Sequence, residues 1–372
     1  MAHRTCVVVV PGFKGTVLSQ AGSGKPVWLT LRQALVGRAS LAFDRPDLGV
    51  RNSVQFRPDG ILKEIPIIPG ILRKDIYAST LAETRKRVPA DWQVRPWSYD
   101  WRDDPDTLVA ELDAFVGSLV AEGMADVRIL AHSMGGLLTS RWLLAPEFAD
   151  GPARRVSRVC FVAAAFRGTT KMFRNLQIGD DPSGRNTTLL SADALGTFPS
   201  SYVFVPDAWP FAVDARGEPV SSKLRDVDLW ESQRWGLFRD GREEFAGARR
   251  DFLADQFRRS RAFLSAVADP AAAPPPGLRV LNVVGVSGGT VDRLIQRADG
   301  TLVLSDAERR KDPALSAASV DAPGDSTIAE HAAELPPGLA RDGAATVKLA
   351  LEHMSVVQRG AGLDAALGFL LD

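Results

Sequence analysis

Residues 127–144 read VRILAHSMGGLLTSRWLL. A short apolar run ends in a serine, two glycines follow, and an amphipathic helical pattern begins at once. This order is the context of a nucleophile elbow, in which a serine projects from a sharp strand-to-helix turn. The turn is crowded, so the residues two places away have to be small; here they are Ala131 and Gly135. Ser133 then sits at the start of a helix, where free N–H groups and the helix dipole favour negative charge developing in acyl transfer. The Met134 amide is one candidate oxyanion donor. A bland serine-containing βα turn is the competing reading, and the flanking strand and helix patterns weigh against it.

On either side of this stretch, β-branched runs alternate with amphipathic segments, the pattern of a mainly parallel sheet with crossover helices. Strands are expected in TCVVVV, in WQVRPW, in VSRVCFVAAAF and in LRVLNVVGV. The first is apolar on both faces, as in a sheet covered on two sides. Helices are expected near 72–87 and, most clearly, after Asp104, which can cap with Pro105 in the first turn. Residues 16–70 read as irregular. After Gly168 the alternation stops, and a loop-rich stretch with Trp209, Trp230 and Trp235 leads into a long arginine-rich helix near 243–268. DPAAAPPPG then reads as a stiff linker back to the core, and a weakly marked strand and helix near 345–350 and 362–371 close the chain. The expected fold is an α/β-hydrolase with a large cap or lid insertion between the sixth and seventh strands. Its expected parts are core 1–169 (with the irregular insertion 16–70), cap 170–276 and core 277–372.

Composition sets the outer limits. The chain has 372 residues, 45% of them hydrophobic and 24% charged, and its 45 Lys+Arg balance 45 Asp+Glu. That balance gives no general attraction to nucleic acid or to an anionic membrane. No apolar stretch reaches the roughly 18 residues of a spanning helix, and the run 6–10 is too short for a signal-peptide core. The expectation is a cytoplasmic protein, able at most to touch a membrane surface. Two cysteines make no disulfide framework. Nothing suggests a metal or another cofactor: there is no HExxH and no CxxC pair, and PGFKG and GSGK are too short for a phosphate loop.

A serine nucleophile needs a base, and the base an orienting acid. Of four histidines, His3 precedes the first strand. His132 lies inside the elbow with its side chain turned from the nucleophile. His353, in LALEHMS after the last strand, is favoured over His331. The acid should leave the strand NVVGV, and Asp292, Asp299, Asp306, Asp312, Asp321 and Asp325 all follow it; Asp299 reads as part of a hairpin turn, and Asp325 has a small residue on each side. The second oxyanion donor is expected from the loop PGFKGT after the first strand, at the Phe13 amide.

Seven stretches in order — VVVVPGFKGT, WSYDWR, AHSMGG, FRGTT, TFPSSYVFVP, GDST and EHMS — together resemble the lecithin:cholesterol acyltransferase-like α/β-hydrolases. The resemblance implies Ser133 as nucleophile, Asp325 as acid, His353 as base, and Phe13 and Met134 as oxyanion donors. Tyr99 and Trp101, with Trp209 of the insertion, become the expected substrate contacts; the competing reading of this motif is a buried Asp100–Arg102 pair that fixes a loop. The disulfide-tied membrane subdomain of secreted relatives has no counterpart here. In this fold Cys6 and Cys160 lie two strand spacings apart, roughly 9–10 Å, too far to bridge.

The expected function is that of a lipid-ester hydrolase or acyltransferase, phospholipase- or lipase-like, acting on a lipid or other acyl ester. The alternatives are an esterase or thioesterase for small soluble esters, and a degenerate hydrolase fold that only binds. The stretch 200–213, SSYVFVPDAWPFAV, can either meet a bilayer or pack on the core. The arginines near 249–261 read as a solvated face ahead of an anionic-lipid surface.

Overall fold

A computed structural model describes residues 4–68, 72–181, 186–206, 211–220, 224–304, 306–312, 315 and 320–372. Its centre is a six-stranded sheet. The strands are β1 (Arg4–Val10), β2 (Gln93–Pro96), β3 (Met124–His132), β4 (Val156–Val162), β5 (Arg279–Gly285) and β6 (Ala345–Leu349). They lie in the order β6-β5-β4-β3-β1-β2, and every neighbouring pair is parallel. Parallel neighbours need crossovers, and these include α1 (Ala78–Arg87), α2 (Pro105–Ala121) and α3 (Met134–Leu144), while α6 (Ala361–Leu371) follows the last strand and closes the chain against the sheet.

The period-two alternation of β1 divides the core. Cys6, Val8 and Val10 face the side covered by α2 and α3. Val7 and Val9 face α1 and α6. Both faces are dry, which is why the run is apolar without interruption. Cys6 pairs in register with Val127, and Cys160 with Leu130, so β3 separates the two buried free thiols. Asp104 caps α2 by accepting from the Asp106 and Thr107 amides.

The structure corrects several expectations. Residues 16–68 are not irregular throughout: Thr16–Gln20, Pro26–Trp28 and Phe56–Ile61 form an antiparallel sheet, and Glu64–Ile68 pairs with Leu72–Asp75. The segment 72–75 is therefore a strand, and the helix starts only at Ala78. Bulges and prolines broke the alternation that would have marked these short strands.

Between β4 and β5, the fourth and fifth strands of the main sheet, the chain makes its long excursion. It carries α4 (Thr170–Ile178) and α5 (Ala246–Ala268). It is built inward: Tyr202, Val203, Phe204, Val205, Phe211, Ala212 and Val213 are all buried, so the described part of 200–213 packs inside and presents no apolar face to a bilayer. The arginines of α5 are not a bare solvated face either. Arg249 is 1% exposed and paired with Asp240, while Arg259 reaches Asp104 at 2.7 Å. After β5 the chain returns to the excursion, because Leu294–Gln296 pairs in parallel with Ala212–Val213. Among the described residues no helix is long and apolar enough to cross a membrane.

Candidate active site

Ser133 occupies the single-residue turn between β3 and α3, with φ 53° and ψ −120°. A non-glycine residue at positive φ carries strain, and here it throws the side chain out at the carboxyl end of the sheet. The neighbours are as tight as the motif demands. A Cβ on Gly135 would stand 2.5 Å from the Pro11 carbonyl and 2.6 Å from that of Val10. One on Gly12 would stand 2.8 Å from Ser133 Cβ and 3.2 Å from its Oγ. The loop after β1 therefore runs directly against the serine.

His353 comes after β6 and turns Nε2 to Ser133 Oγ at 3.0 Å. Its Nδ1 faces Asp325 Oδ2 at 2.7 Å. The other carboxylate oxygen, Oδ1, accepts from the Ile328 amide at 2.7 Å and the Thr327 amide at 3.0 Å. Asp325 is 2% exposed. Burial alone would raise its pKa, but the charge and hydrogen bond of His353 and those two amides outweigh it and hold the carboxyl below the usual range. Gly285, at the end of β5, lets both loops close in: a Cβ there would meet the Leu351 carbonyl at 2.5 Å and Asp325 Cβ at 2.7 Å. Three groups 220 and 28 positions apart in sequence thus form one continuous hydrogen-bonded line.

A second line runs behind the first. The Gly12 amide donates to the Tyr77 hydroxyl at 2.8 Å, and that hydroxyl meets His132 Nδ1 at 2.7 Å. His132 Nε2 lies 3.2 Å from the His353 carbonyl oxygen. A carbonyl only accepts, so Nε2 carries the proton and Nδ1 receives the Tyr77 hydroxyl. Burial, then the charge of His353, pulls the His132 pKa down to about 3, in keeping with a neutral ring. His132 is turned from the nucleophile, as the sequence implied. Tyr77 gave no signal, because a tyrosine opening a helix reads as core.

Phe13 packs edge-on against Trp101 at 4.8 Å and borders the cavity. Among the described residues, no hydrogen bond to another backbone group is donated by the Phe13 or Met134 amide. Tyr99 and Trp101 do not line the cavity: both are fully buried beneath it, and hold the loop after β1 through Tyr99 Oη to the Pro11 carbonyl at 2.7 Å and Trp101 Nε1 to the Thr16 carbonyl at 3.1 Å. Asp100 and Arg102 form an ion pair at 2.6 Å, with Arg102 also donating to the Leu41 carbonyl. Trp209 lies outside the described residues. His331 is elsewhere, with Nε2 2.9 Å from Asp292 Oδ1.

The serine opens into a cavity of about 340 Å³ whose walls include Trp28, Leu62, Ile65, Met172, Phe204 and Met354. Lys14 stands at its side, ion-paired to Asp180 at 2.5 Å. Among the described residues no group of His, Cys, Asp and Glu is arranged to hold a metal.

Residues 47–217 match the family model for lecithin:cholesterol acyltransferase. Over that stretch the chain resembles the lecithin:cholesterol acyltransferase family, and its parallel sheet flanked by helices is an α/β-hydrolase fold. The chain is also 24% identical over 248 residues to an uncharacterised Saccharomyces cerevisiae protein, YJR098C. The match takes in 64% of this chain but only 35% of the yeast protein, so the chain spans about a third of that relative's length. Among solved structures it resembles the crystal structure of the Tle4–Tli4 complex, with a TM-score of 0.60 at 13% identity over 100% of this chain and 98% of the other. That likeness concerns the fold. The mature Bacillus licheniformis lipase BlEst2 is a more distant match, at TM-score 0.42 and 10% identity over 100% of this chain and 93% of the other.

Proposed function

We propose that the protein is a serine-dependent lipid-ester hydrolase or acyltransferase working through an acyl-enzyme on Ser133. The observation that carries the reading is the line Ser133–His353–Asp325, with the serine strained on its turn beside a largely apolar cavity. Ser133 Oγ attacks the ester carbonyl while its proton passes to His353 Nε2. Asp325 holds the ring through Nδ1 and stabilises the imidazolium. The oxyanion is taken by the Phe13 and Met134 amides. His353 then protonates the departing alcohol, leaving an acyl group on Ser133. Water or an acceptor alcohol attacks that group, giving its proton to His353, which passes it to Ser133 Oγ as the serine departs.

The family match supports ester chemistry, and the cavity walls support an acyl chain as occupant. The expected partner is a lipid ester, met with or without brief contact at a membrane surface. A fluorophosphonate probe tests the mechanism: it should label Ser133 in the folded protein, and Ser133→Ala should abolish both labelling and ester turnover. Folded protein that resists the probe ends the proposal. A chain-length series of nitrophenyl esters separates the lipid reading from a small-ester one, since preference for the shortest chains would favour the latter.

A further inference from the structure

A second recess, of about 320 Å³, lies on the far side of the loop that carries Asp325. Lys171 and Thr327 line both recesses, so the two adjoin at that point. Its other charged lining residues are Arg174, Arg293 and Arg309, and no carboxylate lines it among the described residues. Of the acids near in sequence, Asp292 faces His331 at 2.9 Å and Asp325 faces His353, while Asp321 stands beside Gly289 at the rim, its Oδ2 3.6 Å from where a Cβ there would lie. Glu308 is bound to Arg297 at 2.6 Å.

The cations are held in place by the backbone. Arg174 gives its Nε hydrogen to the Leu304 carbonyl, which leaves the rest of its guanidinium edge for another acceptor. The Arg293 amide is anchored to the Val320 carbonyl at 3.0 Å, while its side chain has no ion-pair partner among the described residues. Thr290 accepts from the Ser326 amide at 2.9 Å, which ties this wall to the turn beside Asp325. Several like charges around one concavity repel one another unless an anion sits among them.

We propose that this recess binds a phosphoryl-type oxyanion, held by Arg174 and Arg293 with Lys171 at the opening toward Ser133. Guanidinium edges and hydroxyls suit tetrahedral oxyanions, which accept several charge-assisted hydrogen bonds at once. The source is either a free phosphate or the phosphate of an ester substrate whose acyl carbonyl lies at Ser133; only the second use rests on the hydrolase reading.

The test has two arms on the full chain with Arg293→Gln and Arg174→Gln. In the first, inorganic phosphate is titrated calorimetrically at constant ionic strength. The wild type should bind, and each variant should bind about tenfold more weakly or worse, as expected for losing a charged hydrogen bond. In the second, kcat/KM is compared for a short-chain diacylglycerol phosphate and the corresponding neutral diacylglycerol. A fall of about tenfold in that ratio in the variants identifies a substrate phosphate. An unchanged ratio with weakened phosphate binding identifies a free ion at the same site. Should Arg174→Gln fail to fold, Arg293→Gln carries both arms. Wild-type protein that binds no phosphate and a variant-independent ratio overturn the proposal, as does phosphate bound equally well by wild type and both variants. If neither ester turns over, the hydrolase reading fails while the titration still decides the site.

Discussion

The Tyr77 hydroxyl stands 2.7 Å from His132 Nδ1 and takes the Gly12 amide proton from 2.8 Å on its other side. One buried oxygen therefore joins the loop of the proposed oxyanion donor to the residue beside the serine. Burial raises the Tyr77 pKa far above the usual tyrosine value, so the hydroxyl keeps its proton and donates. Tyr77→Phe removes the acceptor of a buried amide and the donor to a buried ring nitrogen, a loss of about 1–3 kcal/mol for each unsatisfied group. The expected outcome is a kcat reduced about tenfold or more with KM little changed, because the loop position matters most when charge develops on the substrate oxygen. Steady-state kinetics on a nitrophenyl ester check this, and equal falls in kcat and affinity would point to general loosening instead.

His132 also sets a pH limit on stability. Its pKa falls from the ordinary 6.5 to about 3 in the folded chain. Between those values the unfolded chain holds a proton that the folded one lacks, so acid favours unfolding. The contribution of the neutral ring is fully present above pH 6.5 and is lost as pH falls toward 3. Asp325, also held low, acts in the same direction but only once its unfolded value of 3.8 is approached. Urea titrations from neutral pH down to about pH 4.5 should show stability falling with a limiting slope of about 1.4 kcal/mol per unit from this one group. His132→Gln should flatten that slope, and an unchanged slope in the variant would remove His132 as its source.

Ser133 was legible in the sequence because an elbow imposes small neighbours at fixed spacing, and Gly135 is visibly jammed against the Val10 and Pro11 carbonyls. His353 was legible because histidines are few and the fold fixes their order. Asp325 was not, until several motifs were weighed together, since nine aspartates come after the same strand. Tyr77, Trp28 and Met172 stayed hidden: they reach the site through packing between elements distant in sequence, which no local periodicity records. The strands within 16–75 were hidden for a different reason. They are short and bulged, and their half-exposed faces blur the alternation.

Gly12 and Gly135 should fail in different ways. A methyl on Gly12 falls against Ser133 and 3.2 Å from His132 Nδ1, at the reacting end of the site. Gly12→Ala should lower turnover about a hundredfold, the order of effect of a misplaced catalytic group, while the melting temperature moves little. Gly135→Ala instead drives a methyl into two backbone carbonyls that cannot rotate away, and should destabilise by about 1–3 kcal/mol. Paired activity and denaturation measurements distinguish the two; matching behaviour in both variants would contradict the assignment of Gly12 to the serine's immediate surroundings.

Arg249 tests the excursion rather than the chemistry. It is 1% exposed, pairs with Asp240 through both ends of its guanidinium at 2.6 and 2.9 Å, and donates to the Leu48 carbonyl at 2.9 and 3.1 Å. Its hydrogen bonds, and then those of Arg242, hold the Asp240 carboxyl well below the usual range. Arg249→Met keeps the apolar stem but strips the Leu48 carbonyl and Asp240 of their donor, and should cost about 3 kcal/mol, the lower end for breaking a buried pair, because Asp240 keeps 26% exposure and the Arg242 contact. Leu48 lies in the segment beneath α5, so the loss separates α5 from that segment while leaving Ser133, His353 and Asp325 untouched. Denaturant unfolding should report the drop, with fluorophosphonate labelling of the surviving native fraction unchanged; a variant as stable as the parent would mean that Arg249 packs there without holding the two segments together.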